Sequence, residues 1–261
     1  MRYLLVFLML LPQAIFACGQ NSDCQIEGGT YRIALPDGDG PFGAVIFYHG
    51  WQGTAQGVMR NRSILSEANK LGVAVIAPQG INKTWSYPGS PDSSRDEFAF
   101  TDALLADIAD HFPIDMDKIM VSGFSMGGSM AWNVACYRGE NIAGFAPIAG
   151  AYWDPVPTVC PSPMPVMIHV HGKADTTVPI SGRPIGIYRQ SDVYESLAQW
   201  EEQGACKLPN TARRDGALVC QRVTCSSGVL ELCLHEGGHS IRTEWVVRAW
   251  KELSEIKGWG S

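Results

Sequence analysis

The chain has 261 residues, 46% of them apolar and 18% charged, a balance that suits a packed globular protein and excludes a disordered one. Its length allows one large α/β domain or two small ones. The formal net charge is −6 and the basic residues form no run, which argues against a nucleic-acid partner.

Residues 1–17 read as a secretory signal peptide. Arg2 supplies the positive start, residues 3–11 an apolar stretch, and Ile15-Phe16-Ala17 a cleavage site before Cys18. The apolar run is too short for a membrane span, so the chain is expected to be secreted or periplasmic. Eight cysteines follow, at 18, 24, 136, 160, 206, 220, 225 and 233, an even number that suits disulfides in an exported protein. Ile15-Phe16-Ala17-Cys18 faintly resembles a lipoprotein box, but lipidating Cys18 would leave an odd thiol. A Cys18–Cys24 clip is therefore preferred to a lipid anchor.

Residues 31–35 form the first expected strand, closed by the turn Pro36-Asp37-Gly38-Asp39-Gly40. Residues 44–48 and 73–77 are continuous apolar runs, as in strands buried on both faces of a parallel sheet. A helix is expected over 55–70 between them, and another over 97–111, stopped by Pro113. The strand that ends near 122, then strands at 144–148 and 166–170, precede a helix over 191–203. A last strand at 229–234 and an amphipathic helix over 241–256 complete the chain. This alternation predicts a doubly wound, mostly parallel sheet with helices on both faces. Ligands of such sheets sit at the carboxyl ends of the strands.

The chemistry concentrates there. Gly123-Phe124-Ser125-Met126-Gly127 joins an apolar strand to a helix, the order a nucleophile elbow requires. A serine hydroxyl needs a base to take its proton, and the base needs a carboxylate to hold its tautomer. Downstream, Asp175 follows strand 166–170 and His239 follows strand 229–234, giving the order Ser, acid, His. The backbone amide of Met126 is one expected oxyanion donor. The amide of Trp51, in His49-Gly50-Trp51-Gln52-Gly53, is the second, with Gln52 as its alternative. His49 should brace this loop, His171 should shape the Asp175 turn, His169 belongs to the core, and Asp192 caps a helix. His235-Glu236-Gly237-Gly238-His239 matches the zinc signature His-Glu-x-x-His in letters. That signature needs a helix, and two adjacent glycines after a strand disfavour one.

Together these residues resemble the polyhydroxybutyrate depolymerase-like esterases, which include feruloyl and acetylxylan esterases. The resemblance covers residues from about 24 to 250. It rests on Gly28-Gly29-Thr30-Tyr31 with Leu35-Pro36, the His49-Gly50 loop and Gly123-Phe124-Ser125-Met126-Gly127-Gly128. It rests also on Ala146-Pro147-Ile148-Ala149-Gly150, residues 171–179 and Gly237-Gly238-His239-Ser240. It implies an α/β-hydrolase fold, a Ser125–Asp175–His239 triad, export, and no metal or organic cofactor. Residues 18–261 would then be a single catalytic domain acting on a small-molecule or oligomeric ester. A peptidase of the same fold and a non-catalytic binding module are the rivals.

Segment 205–234 departs from the family's pattern in carrying four cysteines, expected to cross-link among themselves, with metal binding by that set as the rival that export disfavours; Cys136 and Cys160, beside the elbow, form the other expected pair. Trp51, Trp85, Tyr87, Tyr152 and Trp153 lie near the expected mouth, with Trp85 and Trp153 as the chosen substrate contacts.

Overall fold

A computed structural model describes residues 18–207 and 211–259, so the expected signal peptide lies outside the described residues. Its centre is built from apolar strands. Strands β3 (Phe42–Tyr48) and β4 (Val73–Pro78) are buried along their whole length. They pair in parallel, and β3 pairs in parallel with β5 (Ile114–Phe124) on its other side. Parallel pairing then continues from β5 through β6 (Gly144–Ile148) and β7 (Val166–Gly172) to β12 (Val229–His235).

The side chains alternate between two apolar layers with the period of two that a strand imposes. In β3, Ala44, Ile46 and Tyr48 join one layer, while Val45 and Phe47 join the other. The first layer is covered by α3 (Glu97–His111), α4 (Met126–Arg138) and α5 (Val193–Gln203), through Leu104, Ile108, Met130, Trp132, Leu197 and Trp200. The second is covered by α1 (Ala55–Met59), α2 (Arg62–Lys70) and α6 (Thr243–Lys257), through Val58, Ile64, Trp245, Val246 and Trp250. Helices thus lie on both faces, as the alternation of elements predicts. Asp192 caps α5 as expected, its side chain accepting from the amides of Tyr194 and Glu195.

Two features differ from the sequence reading. The single helix expected over 55–70 is two. Thr54 caps α1, and Asn61 opens α2 by accepting from the amide of Ile64 at 3.2 Å. An Asn side chain that satisfies an orphan helix amide starts a new helix more readily than it continues an old one. The sheet is also wider than expected. At one edge β2 (Gly29–Ala34) and β1 (Cys24–Ile26) add antiparallel; at the other, β11 (Leu218–Thr224) and β10 (Arg213–Asp215) extend beyond β12. The full order is β1-β2-β4-β3-β5-β6-β7-β12-β11-β10. A short hairpin of β8 (Arg183–Ile185) and β9 (Tyr188–Gln190) stands apart from this sheet.

All four disulfides follow the expected grouping: Cys18–Cys24, Cys136–Cys160, Cys206–Cys225 and Cys220–Cys233. The Cys18 sulfur is bonded to Cys24, which is the clip the even cysteine count favours. Cys220 and Cys233 face each other across β11 and β12. Cys136–Cys160 ties α4 to the loop that follows β6, across a separation of 24 residues. Replacing both of its cysteines by alanine should cost about 3 kcal/mol of stability, from the unfolded chain's regained freedom. Chemical denaturation of the oxidised protein against the double variant checks this.

Candidate active site

The topology reverses direction between β3 and β5, because β4 lies to one side of this pair and β6 and β7 to the other. A crevice outside the strand ends forms at such a switch point. Ser125 follows β5 and Trp51 lies three residues beyond β3, so both border it.

Ser125 stands at φ 58° and ψ −121° between strand and helix, a conformation a side chain rarely adopts. Its amide donates to Ile148 O at 2.9 Å, and its carbonyl accepts from the Ser129 amide at 2.9 Å. The two flanking glycines are required by close approach. A Cβ at Gly123 would fall 2.2 Å from Gly127 O, and one at Gly127 would fall 2.0 Å from Tyr48 O. No other residue fits either position, which is the physical content of the Gly-x-Ser-x-Gly pattern.

Asp175 sits in the loop after β7 and is 5% exposed. Its Oδ1 accepts from the Thr177 and Val178 amides, each at 2.8 Å. Its Oδ2 lies 2.7 Å from His239 Nδ1. Burial would raise the Asp175 carboxyl, but the bond from His239 and the Val178 and Thr177 amides outweigh it and hold it below its ordinary value. The carboxylate can only accept, so Nδ1 of His239 carries the proton and Nε2 keeps the lone pair of a base.

His239 reaches this position because β12 and β7 pair in parallel up to His235 and Gly172, so their loops leave the sheet side by side. The Lys173 amide donates to His235 O at 2.8 Å and the Ala174 amide to Gly237 O at 3.1 Å, locking the two loops together. The His239 ring lies against Phe124, the residue before Ser125, at a centroid distance of 4.6 Å. Asp175 and His239 are therefore joined directly, and the imidazole is held over the end of the strand that leads to Ser125. The Ser125 hydroxyl itself makes no hydrogen bond among the described residues; such links are often long until a substrate tightens the site. The Gly-x-Ser-x-Gly pattern leaves the place of Phe124 open, so the pattern carries no sign of its contact with His239. His235 is committed elsewhere: its Nδ1 accepts from the Gly237 amide at 3.1 Å and its ring packs on Trp245 at 4.6 Å. The segment is strand and bend rather than helix, as its glycines predict.

The loop after β3 is braced from beneath. The Gly53 amide donates to Gly50 O at 2.9 Å, closing a turn with Gln52 at φ 61°. The Gln52 amide donates to Lys83 O at 2.9 Å, which commits the alternative donor. Among the described residues, the amides of Trp51 and Met126 make no hydrogen bond. His49 braces the loop as expected: its Nδ1 lies 2.8 Å from Gly50 O and its Nε2 accepts from the Gly80 amide at 3.1 Å. Burial lowers its pKa, consistent with a neutral ring that donates through one nitrogen and accepts through the other. Asn82 and Lys83 also have positive φ, at 52° and 60°, so backbone strain gathers in both loops beside the elbow.

The two chosen substrate contacts need correction. Trp85 is 0% exposed, its indole N–H donates to His49 O at 2.7 Å, and its ring packs on His49 at 4.6 Å. It supports the loop from inside. Trp153 is 4% exposed and belongs to the core layer under α4 and α5. Tyr87 and Tyr152 are buried as well, whereas Trp51 is 67% exposed.

Among the described residues no helix is long and apolar enough to cross a membrane. A protein of Nocardia uniformis subsp. tsuyamanensis that is named as an esterase is 31% identical over 173 residues, 64% of this chain and 49% of that protein. Feruloyl esterase C of Emericella nidulans is 27% identical over 177 residues, 62% of this chain and 60% of that protein. The match thus spans between about half and three-fifths of these curated relatives' own length. The acetyl xylan esterase from Aspergillus awamori superposes with a TM-score of 0.62 at 16% identity, over 85% of this chain and 93% of that one, a likeness of fold. A family model described as the alpha/beta hydrolase family matches residues 45–252, most of the chain. By that match over most of its length, the chain belongs to the alpha/beta hydrolase family.

Proposed function

We propose that this protein is an exported serine esterase that cleaves carboxylic esters through an acyl-enzyme, within one domain over residues 18–261. The observation that carries this reading is the bond from His239 to Asp175, with the same imidazole packed on the residue before Ser125. In this reading Ser125 Oγ attacks the ester carbonyl while His239 Nε2 takes its proton. The carbonyl oxygen becomes an oxyanion received by the amides of Met126 and Trp51. His239 then returns the proton to the departing alcohol, leaving an ester on Ser125. Water, activated by the same nitrogen, attacks that ester and releases the acid. Asp175 stays ionised, holds the ring and stabilises the imidazolium.

The feruloyl esterases among the relatives support an aryl or other acyl ester as substrate. With the other four mouth aromatics buried, Trp51 is the one of the five left to meet it. The four disulfides support an oxidising compartment outside the cytosol. The test is a panel of feruloyl, acetyl-sugar, short-chain aryl and hydroxybutyrate-oligomer esters beside matched peptide amides. Ester cleavage with no amide cleavage is the expected result. Turnover of the amides alone would overturn the reading in favour of a peptidase, and turnover of neither would leave a binding module.

A further inference from the structure

Behind the Asp175–His239 pair lies a second pair of imidazoles that the proposed mechanism does not use. His169 and His171 both project from β7 and are both 0% exposed. His169 Nε2 and His171 Nδ1 are 2.9 Å apart. His171 Nε2 lies 2.7 Å from Val178 O and 3.7 Å from Asp175 Oδ2. Val178 is also the residue whose amide donates to Asp175 Oδ1. One peptide segment is therefore held by His171 through its carbonyl and holds Asp175 through its amide.

We propose that His171 is a positioning residue: a neutral imidazole that clamps the Val178 carbonyl and so fixes the carboxylate that orients His239. This rests on the esterase reading above and deepens it. The proton positions follow from the acceptors. Val178 O can only accept, so Nε2 of His171 carries the hydrogen. A neutral ring then presents Nδ1 as an acceptor, which the Nε2–H of His169 fills.

The charged and titratable groups around His171 are His169 on its own strand, Asp175 in the following loop, and His235 and His239 at the end of β12. Burial lowers His171, against the opposing pull of the Val178 carbonyl and Asp175, and burial with the neighbouring His171 drives His169 far down. A cationic His171 would offer Asp175 a competing partner 3.7 Å away; a neutral one leaves the carboxylate to His239.

The clamp predicts distinct behaviour for two variants. His171→Leu keeps an apolar filling but loses the donor, and kcat should fall on the order of 10²-fold, the cost of a slightly misplaced catalytic group. KM should change little, and the acid limb of kcat/KM should move to lower pH as the base loses a well-placed carboxylate. His171→Gln keeps an N–H within reach of the Val178 carbonyl and should recover most of kcat. A role in stability alone would lower the melting temperature and leave the acid limb in place. In the unaltered protein, ¹⁵N NMR of the histidines should show His171 protonated at Nε2 only, across the working pH range. An unshifted acid limb with normal kcat in His171→Leu, a Gln variant no better than the Leu variant, or a protonated Nδ1 at working pH would each overturn the proposal. If His171→Leu does not fold, the Gln variant and the NMR spectrum decide. Failure of the unaltered protein to cleave any ester would instead defeat the esterase reading, and the tautomer measurement stands apart from it.

Discussion

Replacing Ser125 by alanine should reduce ester turnover on the order of 10⁶-fold, as loss of the nucleophile does in serine hydrolases generally. Folding should survive the change. The backbone at Ser125 is already at φ 58°, its amide and carbonyl bonds to Ile148 and Ser129 do not involve the hydroxyl, and the hydroxyl caps nothing in α4. Loss of activity with an unchanged melting temperature is therefore the expected pair of results. The residual rate should reflect the Met126 and Trp51 amides and substrate binding, which the substitution leaves in place. Near-normal hydrolysis of a p-nitrophenyl ester by the variant would remove Ser125 from the chemistry.

Replacing Asp175 by asparagine should cost on the order of 10⁴-fold in kcat, through the tautomer of the base. The Thr177 and Val178 amides bond Oδ1 at 2.8 Å and would hold the asparagine carbonyl oxygen in that place. The asparagine NH₂ would then face His239 Nδ1, which must give up its proton to accept. The proton moves to Nε2, where the Ser125 proton has to go. A second consequence concerns stability. The Asp175 carboxyl is held below its ordinary value when folded, so its stabilising contribution is present above the unfolded carboxylate range and lost as pH falls through the folded value. In Asp175→Asn that part of the acid loss should disappear. Melting temperatures of both proteins from neutral pH downward, with the wild type falling more steeply, check the sign.

Local rules carried the reading wherever one residue type was the sole solution to a local problem. Gly123 and Gly127 could be read because no side chain fits there. The end of the Glu97–His111 helix could be read because Pro113 stops it; its start is fixed by Asp96, whose side chain accepts from the Phe98 and Ala99 amides. The meeting of Asp175 and His239 could be read because strands in a parallel sheet deliver their following loops to one rim. What escaped was set by contacts between distant segments. Trp85 sits in a polar stretch, Asn82-Lys83-Thr84-Trp85, and nothing near it in sequence reveals that His49 O receives its N–H at 2.7 Å. The β10–β11 hairpin was signalled by Asp215-Gly216, a turn pair with Gly216 at φ 58°, but its first strand has only three residues, all exposed. The break before Asn61 had a signal too, since Asn favours helix starts over helix interiors.

The esterase account predicts one covalent species above all. The protein should be mixed with a fluorophosphonate or a slowly hydrolysed aryl ester, digested, and its peptides weighed, in the wild type and in His239→Ala. The account predicts a single added group on Ser125 in the wild type and little or none in the variant. A group on another residue, or full labelling of Ser125 without His239, would contradict it.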